Sequence, residues 1–184
     1  MDLQKCKTAV LSTHRLELRA VRADDANDII RLANDFDVAR RLTRMPHPYE
    51  PGDARYFIEQ VLPDEAVWAL IRKADAAFMG VIGLMPRGKD GTVAVGYWLG
   101  RDYWGQGYMT EAAREVVRFA FETLKLPHLR SGHFADNAGS AAVLGKLGFV
   151  PVGKSYQYCL ALNREVEHVD LRLEAGEFLC KQTG

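Results

Sequence analysis

The chain has 184 residues, the length of one domain. Apolar residues make up 48 %, enough for a buried core without disulfide or metal staples. Lys plus Arg and Asp plus Glu both number 24, so the formal net charge of zero carries no footprint of nucleic acid or an anionic membrane.

Leu16 to Val21 reads as a first strand, with Leu16, Leu18 and Ala20 alternating against Glu17 and Arg19. Asp24 is placed to cap a helix over about residues 25–34, whose apolar side holds Ile29, Ile30, Leu32 and Ala33. Two prolines make Met45-Pro46-His47-Pro48-Tyr49 a loop, and its position offers it as a wall of an acceptor site. Pro51 suits the first turn of a helix to about Leu62, with Ala54, Phe57, Ile58 and Val61 inward. Ala66–Arg72, Phe78–Met85 and Thr92–Leu99 are then strands of an antiparallel meander. Lys73 to Ala76 and Pro86 to Gly91 supply the turns.

From Met109 the period becomes helical: Met109, Ala112, Ala113, Val116, Val117, Ala120 and Leu124 form one apolar stripe, stopped by Pro127. A strand over Leu129–Ala135 follows, parallel to Thr92–Leu99, and then a helix over Ala138–Leu147. Gly148 reads as a left-handed cap with Phe149 folding back on Leu144. Val150–Leu160 and Val166–Glu174 are the last strands, and in the second Val169, Leu171 and Leu173 alternate with polar residues.

The stretch that carries chemistry runs from the end of a strand, Tyr97-Trp98-Leu99, through Trp104-Gly105-Gln106-Gly107 to a helix beginning Tyr108-Met109-Thr110. Glycines at 105 and 107 let the backbone approach a ligand and turn amides inward. The free first-turn amides and positive dipole end of the helix suit a phosphate or pyrophosphate. A dinucleotide fingerprint would need a third glycine where Thr110 stands, and a P-loop would need a Gly-Lys-Ser/Thr ending. The glycines alone fit an ordinary strand-to-helix turn equally well.

Four blocks together resemble the GNAT acetyltransferase superfamily, in the branch of ribosomal-protein N-terminal alanine acetyltransferases. They are Leu11 to Arg19, Gly96 to Ala112, Asn137-Ala138-Gly139-Ser140 and Leu144 to Phe149. One place departs from the superfamily pattern: Asp102 stands where Gln or Arg is usual. The resemblance implies one domain over residues 1–184, of α/β (α+β) class. Its mixed, mostly antiparallel sheet would be flanked by helices, with a splayed parallel strand pair forming the cofactor cleft. It implies acetyl-CoA as co-substrate, held by Tyr97, Trp98, Leu99, Trp104, Gly105, Gln106, Gly107, Tyr108, Met109, Thr110, Asn137 and Ser140. It implies an amide near Trp98 or Leu99 facing the thioester oxygen, and Ser140 supplying the leaving thiolate with a proton.

The expected reaction is direct attack of a primary amine, with most of the acceleration from holding the reactants together. A protein N-terminus leads among acceptors, and an antibiotic, polyamine or amino acid amine, or a non-catalytic CoA-binding module, is the alternative. Glu17, Glu111 and His133 are candidate proton acceptors, Glu111 also being a natural complement to a helix dipole. Asn137 and Ser140 have the spacing of reciprocal capping residues as well. The odd, scattered cysteines Cys6, Cys159 and Cys180 read as reduced thiols of a cytoplasmic protein, and the histidines lack metal-ligand spacing. No nucleic acid or membrane partner is expected, and a homodimer is compatible with the resemblance.

Overall fold

The computed structural model describes residues 3–87 and 91–180. An eight-stranded sheet organises the chain, with strand order β1-β2-β3-β4-β5-β6-β8-β7. The strands are β1 (Leu11–Ser12), β2 (Leu16–Ala20), β3 (Ala66–Arg72), β4 (Phe78–Arg87), β5 (Thr92–Leu99), β6 (His128–Phe134), β7 (Val150–Cys159) and β8 (Arg164–Glu174). The helices are α1 (Leu3–Thr8), α2 (Ala26–Ala33), α3 (Phe36–Ala39), α4 (Pro51–Tyr56), α5 (Tyr108–Glu122), α6 (Ala138–Leu147) and α7 (Ala175–Cys180).

Strands β1 to β5 form the expected antiparallel meander. Strands β6, β8 and β7 continue the sheet, also antiparallel among themselves. The two halves meet through β5 and β6, the parallel pair, registered at Ala94 and Arg130. Helices cover both faces. On one, α5 buries Met109, Ala112, Ala113, Val116, Val117 and Ala120 against Leu70, Leu84, Val95 and Leu129. On the other, α2, α3 and α4 bury Ile29, Val38 and Ala54 against Ala69, Phe78 and Val81. Strand β4 serves both cores, so its apolar run is nearly unbroken rather than alternating.

Some boundaries differ from the sequence reading. Arg22 rather than Asp24 precedes the first turn, a short 3-10 segment over Ala23–Asp25 that leads into α2. Asp25 supplies the carboxylate there, accepting from the Arg22 amide and from both guanidinium nitrogens of Arg19. The helix from Pro51 widens into a π-type turn over Phe57–Val61. Helix α5 ends at Glu122, capped by Thr123 before Pro127 is reached. Helices α1, α3 and α7 had no clear periodic signal because each is six residues or shorter. The turn expected after β4 falls partly at residues 88–90, outside the described residues. At the end of α6, Gly148 is left-handed (φ 93°) and Phe149 N–H donates to the Leu144 carbonyl at 3.1 Å. No helix among the described residues is long and apolar enough to cross a membrane.

Candidate active site

The turn between β5 and α5 has the geometry that phosphate capture requires. Gly105 and Gly107 are both left-handed, at φ 73° and 81°. Such angles cost an L-residue roughly 1–2 kcal/mol. The first intrahelical bond closes from Glu111 N–H to the Gly107 carbonyl at 3.0 Å. The amides of Tyr108, Met109 and Thr110 therefore have no carbonyl behind them within the helix. The turn is braced from outside. Arg15 Nη1 donates to the Gln106 carbonyl at 3.0 Å, and its guanidinium lies 4.2 Å from the centre of the Tyr108 ring. Arg15 Nε and N–H both hold the Glu111 carboxylate, and the Thr13 hydroxyl donates to it at 2.6 Å. Burial pushes this carboxyl up, but these three donors outweigh it and keep Glu111 below the usual carboxylate range.

The sheet opens beside this turn. Gly100 N–H donates to the Met79 carbonyl at 2.8 Å. In the register of β4 with β5, that bond also directs the Trp98 amide and carbonyl toward Val81. The amides of Tyr97 and Leu99 consequently face the β6 edge. The Val95 carbonyl on that edge accepts from Ser131 Oγ at 2.9 Å, and the Leu99 carbonyl from Trp104 Nε1 at 2.7 Å. Among the described residues no strand pairs with this edge beyond Ala94. The result is a cleft of about 1120 Å³ between β5 and β6, lined by Leu99, Tyr97, Gly105, Gly107, Asn137 and Ser140 among others.

Across the cleft, Tyr97 Oη and Ser140 Oγ lie 2.8 Å apart. Burial pushes the Tyr97 phenol up to about 12, against a smaller opposing pull from Ser140. Asn137 caps α6, its Oδ1 accepting from Ser140 N–H at 3.1 Å. The return half of the expected reciprocal cap does not form, because Asn137 N–H donates to Phe134 O and the Ser140 hydroxyl is engaged by Tyr97.

A family model for the acetyltransferase (GNAT) domain matches residues 15–150. The chain belongs to this family. The uncharacterized N-acetyltransferase p20 of Bacillus licheniformis is 27 % identical over 163 residues, 85 % of this chain and 91 % of that protein. Two solved structures share the fold. The ribosomal-protein-S5-alanine acetyltransferase of Vibrio fischeri has a TM-score of 0.74 and 19 % identity, over 92 % of this chain and 98 % of that one. The spermidine N-acetyltransferase of Vibrio cholerae, in complex with CoA and spermine, has a TM-score of 0.77 and 15 % identity, over 91 % of this chain and 99 % of that one.

GNAT enzymes use acetyl-CoA, and this chain is an acyl-CoA-dependent N-acetyltransferase. The residues present fit that co-substrate on three counts. The left-handed glycine turn faces the helix mouth, the β5 edge leaves Tyr97 and Leu99 amides for an extended chain to pair, and the cleft has the volume for it. Of the residues expected to hold it, all but Gln106 line the cleft. Gln106 turns its side-chain amide back to the Asp102 carbonyl at 2.9 Å, so this residue braces the turn. At the position where the superfamily pattern has Gln or Arg, Asp102 thus contributes only its backbone to the brace. Of the two candidate oxyanion donors, the register leaves Leu99 and commits Trp98 to the sheet.

The proton-acceptor candidates separate clearly. Glu111 is fully engaged in the brace, and Glu17 lies in β2, away from the cleft. His133 lines the cleft with Nδ1 2.9 Å from the Phe134 carbonyl. Cys159 is fully buried, its thiol donating to the Leu42 carbonyl at 3.4 Å. The Pro46–Tyr49 loop, expected as an acceptor wall, does not line this cleft: Met45 and Tyr49 are buried in the second core and His47 packs on Phe36. Leu42, Thr43 and Arg44, just before it, line the cleft instead. Sequence reasoning also missed Arg41, His168 and Asp170. Arg41 stacks 5.2 Å from the Trp104 ring centre and donates to Asn137 Oδ1 at 3.3 Å. Its only sequence signal was a cluster of arginines, whereas the strand phase of β8 already placed His168 and Asp170 on the face opposite Val169 and Leu171. Among the described residues no group of three His, Cys, Asp or Glu side chains forms a metal site.

Proposed function

We propose that the enzyme transfers the acetyl group to a protein N-terminal amine, by direct attack in a ternary complex. Bound acetyl-CoA supplies an activated acyl carbon with a thiolate leaving group. The chain's own residues do the rest. The Leu99 amide, fixed in the sheet, donates to the oxygen that becomes negative, a contribution of roughly 3 kcal/mol in comparable sites. Tyr97 keeps its proton at neutral pH and, with Ser140, forms a donor pair for the departing sulfur. Asn137 and the left-handed turn hold the co-substrate so that two reactants meet at fixed distance.

The charge of the cleft carries the choice of acceptor. Arg41, Arg44, Arg87, Arg130 and Lys146 line it, against Asp170 as the single carboxylate among the described lining residues. A polyamine, the acceptor named for the Vibrio cholerae neighbour, would need acidic residues there. A peptide can bring a single amine on a neutral or acidic body, and the Vibrio fischeri neighbour is named for a ribosomal-protein alanine. A small amine that carries a carboxylate, such as an amino acid, meets the same charge requirement and is the second reading. Thiol release should therefore be at least about tenfold faster, per kcat/KM, with short Ala- or Ser-initial peptides than with spermidine. A preference for spermidine over every peptide would overturn the acceptor assignment, and a preference for free amino acids would select the second reading.

A further inference from the structure

His168 and Asp170 stand two residues apart on β8, so their side chains share one face of the sheet. Nδ1 of His168 lies 3.0 Å from Oδ1 of Asp170. With the proton of the neutral ring held on that nitrogen, Nε2 carries the lone pair. No residue among those described hydrogen-bonds to Nε2. The ring lies over β6 because residue 132 is glycine: a Cβ there would stand 2.1 Å from His168 Cε1 and 2.7 Å from Nε2. Phe134 closes one side with an edge-on contact at 6.1 Å between centroids. The imidazole side chain is only 17 % exposed, yet it, Asp170 and Gly132 all line the cleft that contains Leu99, Tyr97 and Ser140.

We infer that His168 is the proton acceptor for the incoming amine and that Asp170 is its positioning residue. The assignment rests on acetyl transfer to an amine as read above. An amine of the N-terminal class is mostly protonated near pH 7, so a group must take its proton. The cleft's cations are Arg41 and Arg44 after α3, Arg87 on β4, Arg130 on β6 and Lys146 on α6, with His133 on β6 and Tyr158 on β7 as further titratable groups. That field disfavours the ammonium form of the acceptor, and the one carboxylate is engaged by His168. In the step, the neutral form of the amine, one proton already released to solvent, forms a bond from nitrogen to the acyl carbon and gives one N–H proton to His168 Nε2. The carbon–sulfur bond breaks with its electrons going to sulfur, which takes a proton from the Tyr97–Ser140 pair. Exchange with solvent restores both protein groups.

The test uses the full chain and the best amine of the panel. His168→Gln should lower kcat about 100-fold with CoA affinity by calorimetry unchanged, and should abolish the acidic limb of the kcat profile. Added imidazole should restore part of the rate to His168→Ala, and Asp170→Asn should lose about tenfold. A His168→Gln enzyme with wild-type kcat and pH profile overturns the assignment, as does an His168→Ala enzyme that binds CoA normally and is not rescued. Lack of turnover by the wild type with any amine would instead sink the acceptor reading, and this assignment with it.

Discussion

Gly107 combines two demands that a β-branched residue does not meet together. Its φ of 81° lies where a β-branched side chain is strained, and its amide opens the helix mouth. A Cβ added there has room, its nearest neighbour being Arg15 Nη2 at 3.5 Å, so the strain is conformational rather than a clash. Gly107→Val should therefore stay folded while CoA affinity measured by calorimetry falls about tenfold or more. Wild-type affinity in a folded variant would remove the turn from the binding site. This residue was legible because a missing side chain between a strand and a helix has few explanations. Tyr97 and Ser140 were legible as separate letters, but not as a pair, since they are 43 positions apart and only the fold brings their oxygens to 2.8 Å. His168 was harder still, because its role depends on Gly132, which stands opposite Asp170 on β6 and diagonally under the His168 ring, a cross-strand fact that no local spacing encodes.

At the scale of elements, strands β3 and β5 follow from apolar runs bounded by turn residues and helix α6 from its glycine-capped end, and their bounds agree with the sequence reading. The placement of β8 between β6 and β7 does not, since strand order is decided by long-range packing. The docking of α5 also depends on a distant partner. Glu111 looks from sequence like a dipole complement, but its carboxylate is tied to Thr13 and Arg15 on the turn between β1 and β2. Glu111→Gln keeps the shape and loses the charge-assisted bonds, each worth about 1.5–3 kcal/mol when buried and less where solvent reaches. The Glu111 side chain is 20 % exposed and Arg15 37 %, so the expected loss is at the low end, about 1–2 kcal/mol. Calorimetric Tm should fall by roughly 3–6 °C, accompanied by weaker CoA binding as the helix mouth loosens. An unchanged Tm would mean that packing alone seats α5.

For the whole molecule, titration at both ends of the pH range follows from a few buried groups. Desolvation opposes ionisation of Asp25, but Arg19 and the Arg22 amide prevail, and its carboxyl is held below the usual range. Glu111 behaves alike. For such groups the unfolded chain binds protons first as pH falls. Their stabilisation is thus complete above the unfolded values, 3.8 for Asp and 4.5 for Glu, and is lost as pH drops through the lower folded values. At the alkaline end, burial lifts Tyr49 and Tyr97 to about 12 from 10.0, so the folded form keeps protons that the unfolded chain releases. That contribution is present below 10.0 and lost as pH rises toward 12. Tm should accordingly show a plateau with a fall on each side. Asp25→Asn isolates the acid limb. Asp25 is 6 % exposed and grips Arg19 with both oxygens, so at pH 7 the variant leaves a mostly buried guanidinium without its counter-charge, at a cost of about 3 kcal/mol. Below 3.8 the unfolded carboxyl takes up its proton first, so the gap between the two proteins should narrow as pH falls. Denaturant unfolding of both at pH 7 and at about pH 2.5 measures this directly. A gap of the same size at both pH values would show that shape and packing, not charge, hold the turn between β2 and α2.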